Sequence, residues 1–154
     1  MKRLKNKPSI VLLFLVSLVG LADASYLTYE HYTGNNVVCS FTGGCEKVLT
    51  SQYSTIFGVP IAIGGIIFYL TVLAIAFHYL RHPITKRATQ LLLLVTTTGV
   101  IVSAVLTSLQ AFVIKSWCQF CLLSAFTSLT LFILSVLLWR QTKKMKGEQV
   151  DEKS

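Results

Sequence analysis

Charge is what this chain has least of: 13% of its 154 residues are Asp, Glu, Lys or Arg, and just six are acids, against 53% hydrophobic residues. A composition this poor in charge excludes an ordinary soluble domain. Long polar stretches are missing as well, since no water-compatible segment exceeds about 30 residues, which argues for one domain over 1–154. The strict polar-apolar alternation of a transmembrane barrel strand is also absent.

What is present is four apolar runs, over 8–29, 57–80, 88–114 and 118–139. A hydrocarbon core of about 30 Å takes roughly 20 helical residues at about 1.5 Å each. Only helices satisfy every backbone group within their own segment in lipid. The expected fold is therefore an all-α integral membrane protein, a four-transmembrane-helix bundle with an outer loop over 30–56. A polar, solvated end is expected over 140–154.

The net charge of +8 does not mark a nucleic-acid binder, because the basic residues sit in short segments outside the apolar runs. Twelve of the fourteen fall at the N-terminus, between the second and third runs, and in the tail; Lys47 and Lys115 are the other two. By the excess of basic residues on cytoplasmic segments, both termini are expected inside the cell membrane and the 30–56 loop outside. A competing reading of the N-terminus is a cleavable signal peptide, given the small-residue string Ala22-Asp23-Ala24. A retained helix is preferred because it keeps an even number of crossings.

On this topology all four cysteines lie on the outer side. Cys39 and Cys45 are spaced Cys-x5-Cys, and Gly43 and Gly44 between them let the loop turn back and close a disulfide. Cys118 and Cys121 form Cys-Gln-Phe-Cys at the start of the fourth run. The positive end of a helix dipole stabilises a thiolate, so Cys118 is the expected nucleophile. Cys121 lies one turn deeper, about 4.5 Å along the axis on nearly the same face, nearer a hydrophobic oxidant. Inert buried thiols, a four-cysteine zinc site and a purely structural loop disulfide are the competing readings. Two short-spaced pairs could supply a zinc tetrahedron, and a structural staple would not explain the Cys-x-x-Cys at the bilayer edge; the redox reading is preferred to all three, and no metal is expected.

These residues resemble the vitamin K epoxide reductase family, in its bacterial branch. The resemblance runs from Leu21 to Ala125 and rests on Cys39-x5-Cys45, Ser51, Phe57-Gly58-Val59-Pro60 opening the second helix, and Cys118-Gln-Phe-Cys121 opening the fourth. Quinone reductases of the bacterial disulfide-forming system also carry two cysteine pairs on four spans, but in the reverse order. The resemblance implies a membrane thiol:quinone oxidoreductase supporting disulfide formation. A separate thioredoxin-like (DsbA-like) extracytoplasmic protein would be oxidised by Cys39, Cys45 would attack Cys118, and Cys121 would face a quinone, ubiquinone or menaquinone. A separate partner is expected because the chain ends soon after Trp139. The vertebrate enzymes place a tyrosine where this chain has Ala125, and an asparagine near the start of the second helix that is absent between Pro60 and Tyr69. Plain quinone reduction is therefore expected in place of epoxide reduction.

Supporting residues follow from position. A short helix within 46–52 is expected to lie on the bundle mouth and turn Ser51 inward, either as a quinone contact or as a hydroxyl closing a helix end. Phe57, Phe112, Trp117 and Phe120 are candidates for an aromatic quinone wall, against an interfacial belt. Asp23 is the one acid inside a span. It is read as bonding a neighbouring helix through Gln110, with proton delivery as the functional alternative. His31 is read as a loop residue, and His78 and His82 as lying at the far end. Two other functions fit the same residues: a helical membrane adaptor stapled by its loop disulfide, and a reductase that serves the quinone pool.

Overall fold

A computed structural model describes residues 7–34, 43–82 and 85–151. Helix α1 spans Lys7–Thr33, a short α2 spans Cys45–Leu49, strands β1 (Thr55–Ile56) and β2 (Val59–Pro60) form a hairpin, α3 spans Ile61–Arg81, α4 spans Lys86–Ser108, and α5 spans Gln119–Asp151. A six-residue π-helical turn, Leu109–Ile114, extends α4. Among the described residues, four helices are long and apolar enough to cross a membrane, the shortest being Ile61–Arg81 with 21 residues. At about 1.5 Å per residue that helix reaches about 31 Å, the thickness of the hydrocarbon core. Large apolar side chains such as Leu94, Ile67 and Phe126 point outward around the bundle, as lipid-facing positions do. The fold is a multi-pass membrane bundle.

Within it α1 packs against α3 and α5, and α4 against α5. Small residues let these backbones approach, which in lipid replaces the hydrophobic drive to associate. A Cβ on Gly20 of α1 would overlap the Tyr69 ring of α3, and one on Gly99 of α4 would sit 2.6 Å from the Phe68 ring. The two aromatics, edge to face with centroids 4.9 Å apart, thus fill notches on helices to either side. The Tyr69 hydroxyl, buried among apolar neighbours, meets Thr127 Oγ1 at 2.7 Å and Ser124 Oγ at 2.9 Å on α5. Ser103 of α4 and Ser128 of α5 make a further bond across helices at 2.9 Å.

Two features depart from the sequence reading. Residues 57–60 do not open α3: Phe57 and Gly58 form the hairpin turn, with φ of 51° and 79°, so Ile61 begins the helix. Glycine takes that conformation freely, and the apolar character of Phe57, Val59 and Pro60 conceals the turn in a hydropathy pattern. The last helix also does not stop at Trp139, where a polar end is expected to begin; α5 continues to Asp151, through Gln141, Lys143 and Lys144, which are good helix formers.

The notch at Gly20 makes a direct prediction. Gly20→Ala should destabilise the purified protein in micelles by about 1–3 kcal/mol through overpacking against Tyr69. Tyr69→Phe, which loses only hydrogen bonds, should cost about 1 kcal/mol. Thermal unfolding of the two variants, followed by intrinsic fluorescence, checks the order.

Candidate redox site

The site is built at one end of the bundle by the way α5 starts. The π-turn ends at Lys115, which adopts a left-handed conformation (φ 52°), and the Lys115 and Ser116 amides both close onto the Gln110 carbonyl. Gln110, itself 2% exposed, accepts a hydrogen bond at Oε1 from the Cys118 N–H at 2.9 Å. Cys118 thereby sits immediately before α5, and its carbonyl accepts the first helical bond, from the Leu122 N–H. Its sulfur occupies the position of a helix cap.

That position sets its chemistry. The Cys118 thiol is held down to about 7, first by a hydrogen bond from the Cys121 thiol, then by the Cys121 and Phe120 N–H groups, while burial pushes the other way. A substantial thiolate fraction is therefore present at neutral pH. Cys118 and Cys121 are free thiols, whereas Cys45 is in a disulfide. Cys39 lies outside the described residues.

Helix α2 brings Cys45 to the same place. Cys45, Val48 and Cys118 form one buried cluster, flanked by Leu49, Ile114, Phe120 and Cys121. The close approach depends on Gly44, where a Cβ would lie 2.7 Å from the Trp117 carbonyl oxygen and 3.0 Å from its nitrogen. Glycine is thus required where the loop meets the backbone leading into Cys118. Helix α2 is shorter than expected, and the Ser51 hydroxyl donates to the Val48 carbonyl at 2.7 Å, closing the helix end.

Below this cluster lies a cavity of about 570 Å³, walled by all four long helices. It falls within the range of roughly 300–1,000 Å³ typical of small-molecule sites. Cys121 lies on its wall and Cys118 does not; Cys118 instead faces Cys45. Ser51 also lines the cavity. Phe57 does not: it stands fully exposed at the hairpin tip. Phe112 and Trp117 point outward, and Phe120 packs on Tyr26 with centroids 5.1 Å apart, so none of the expected aromatics forms the wall. Phe68, Tyr69 and Tyr53 do.

Two further placements differ from the sequence reading. Asp23 is buried on the wall but does not bond Gln110, whose Oε1 is taken by the Cys118 amide. His31 belongs to the last turn of α1, and also lines the cavity. His78 and His82 stack on each other at the opposite end, as expected, with centroids 4.7 Å apart. Tyr69 and Phe68 are wall residues that the sequence reading does not single out, and Gln110, read there only as a partner for Asp23, holds Cys118 instead; a tyrosine and a glutamine inside apolar runs are the available signal.

Known proteins resemble this chain over most of its length. Residues 11–136 match the model of the Vitamin K epoxide reductase family. The chain is also similar to the Thiol-disulfide oxidoreductase LTO1 of Arabidopsis thaliana, 36% identical over 123 residues, covering 75% of this chain and 33% of the plant protein. It thus spans about a third of that relative's length. With a family match reaching from α1 into α5 and enclosing Cys45, Cys118 and Cys121, the chain belongs to the vitamin K epoxide reductase family.

Proposed function

We propose that this chain is a membrane thiol:quinone oxidoreductase. It takes electrons from a thioredoxin-like dithiol protein through Cys39 and Cys45, passes them to Cys118 and Cys121, and delivers them to a quinone of the ubiquinone or menaquinone type. The observation that carries this reading is the division of the Cys-x-x-Cys: Cys118 packs on Cys45 while Cys121 faces the cavity. The thiol-disulfide chemistry named for the plant relative supports it. The excess of Lys and Arg on the far side supports cysteines on the extracytoplasmic face and both termini in the cytoplasm.

The steps balance as thiol-disulfide exchange. A partner thiolate opens a Cys39–Cys45 disulfide and, on resolution, leaves both loop sulfurs reduced. The Cys45 thiolate attacks Cys118 of a Cys118–Cys121 disulfide, and Cys121 leaves as a thiol after taking a proton. Cys39 then attacks Cys45, which re-forms the loop disulfide and releases the Cys118 thiolate. The arrangement of a bonded Cys45 beside free Cys118 and Cys121 corresponds to the stage that follows this transfer. A quinone in the cavity supplies an acceptor for two electrons and two protons. The apolar wall suits its ring, and Cys121 stands beside it. The low-lying Cys118 thiol leaves readily, which favours each exchange at that sulfur.

Reduced thioredoxin-like protein added to purified enzyme and a short-chain quinone should lower quinone absorbance, with one quinone consumed per partner disulfide formed. Cys39→Ala and Cys45→Ala should abolish this, yet keep part of the rate with a small membrane-penetrating dithiol; Cys121→Ala should lose both. Equal loss of both activities in every variant would contradict a shuttling loop.

A second prediction concerns pH. Iodoacetamide labelling of reduced Cys118 should rise with pH through a midpoint near 7, because the folded protein favours the thiolate. In Cys121→Ala, which removes the leading hydrogen bond, the midpoint should move up toward the usual thiol range of about 8.5. Mass-spectrometric quantification of the alkylated peptide reads both curves.

A further inference from the structure

The cavity wall carries a carboxyl group that the electron path does not use. Asp23 of α1 is 6% exposed, and neither of its carboxyl oxygens has a hydrogen-bond partner among the described residues. It lines the same cavity as Cys121. It is also close enough to Cys118, Cys121 and Tyr69 for its charge to act on all three. The Tyr69 hydroxyl, on the same wall, is bonded to Ser124 and Thr127 instead. Among the described residues that line it there is no Lys or Arg, and His31 is the one basic side chain. A buried carboxyl without partners is costly, and inside a membrane span such a group is retained for function.

We propose that Asp23 is the proton-transferring acid of this cavity, giving its carboxyl proton to an oxygen of the bound quinone and recovering a proton from the Cys121 thiol. The inference rests on the thiol:quinone reading above. When the Cys118–Cys121 disulfide forms, one S–S bond is made and two electrons leave the two sulfurs for the quinone. Asp23 hands over the first proton from its carboxyl O–H, and the carboxylate so formed takes the Cys121 proton. The proton of Cys118 passes to solvent, and solvent returns the second one that quinol formation requires. Asp23 ends as it began, and the sum is dithiol plus quinone to disulfide plus quinol. A protonated carboxyl is one donor and one acceptor, so it serves as a hydrogen-bond donor to a carbonyl oxygen before it transfers the proton.

Asp23→Asn keeps the shape and a donor but has no transferable acid proton, and Asp23→Glu restores one. With reduced protein and a short-chain quinone, Asp23→Asn should lower the first-order rate of Cys118–Cys121 oxidation by about 100-fold. Its quinone dissociation constant should change less than about threefold, and Asp23→Glu should recover much of the rate. Infrared difference spectra should show a carboxylic C=O band that shifts when a redox-inert quinone analogue binds, and this band should be missing in Asp23→Asn. An unchanged rate in Asp23→Asn, a loss confined to binding, or an analogue-insensitive carboxyl band would overturn the role of Asp23 alone. Failure of the wild-type protein to bind or reduce any quinone would overturn the reading on which it rests.

Discussion

The site depends on one hydrogen bond, from the Cys118 amide to the buried carboxamide of Gln110. A chain that reverses at a bilayer surface exposes backbone groups that no helix has yet taken up, and leaving them unpaired there costs several kcal/mol each. Here the reversal between α4 and α5 closes on Gln110 twice, through its carbonyl and through its side chain. The π-turn shifts the helical register at this point, and left-handed Lys115 completes the bend. Cys118 is thus placed where the free amides of α5 meet its sulfur, and Cys121 is carried one turn inward.

From that placement the two sulfurs acquire different surroundings. Cys118 lies in a small cluster with Cys45 and Val48, roofed by the Gly44 contact with the Trp117 backbone. Cys121 borders a cavity whose walls include Phe68 and Tyr69, the same aromatics that fill the Gly20 and Gly99 notches. The residues that hold α3 to its neighbours therefore also shape the chamber. One dithiol can exchange with protein sulfur on one side and meet a lipid-soluble acceptor on the other, which a single exposed pair would not achieve.

The membrane bundle was legible because its spans leave a local signal in length and apolar content, and spacing alone singled out the pair Cys118 and Cys121 that lies beside Cys45. The turn at Phe57 and Gly58 was not, because its residues are as apolar as the helix they precede, and hydropathy carries no information about φ. Nor was the cavity wall. The aromatics near the cysteines in sequence, Phe112 and Trp117, turn outward, while Phe68 and Tyr69 come from the middle of a different helix. The partner of Gln110 was misassigned to Asp23 for the same reason: a side chain's partner across helices depends on rotation about the helix axis, which the π-turn changes. His31 and the extended end of α5 show the uncertainty of helix boundaries read from sequence alone.

The central claim is that electrons cross between the loop and the membrane helices at Cys45 and Cys118. Its most direct measurement is non-reducing peptide mapping of Cys121→Ala after exposure to a reduced thioredoxin-like partner, because removing Cys121 takes away the internal thiol that resolves the intermediate on the membrane side. The account predicts a peptide pair joined by a Cys45–Cys118 disulfide. A Cys39–Cys118 pair, or no cross-link between loop and helix, would contradict it.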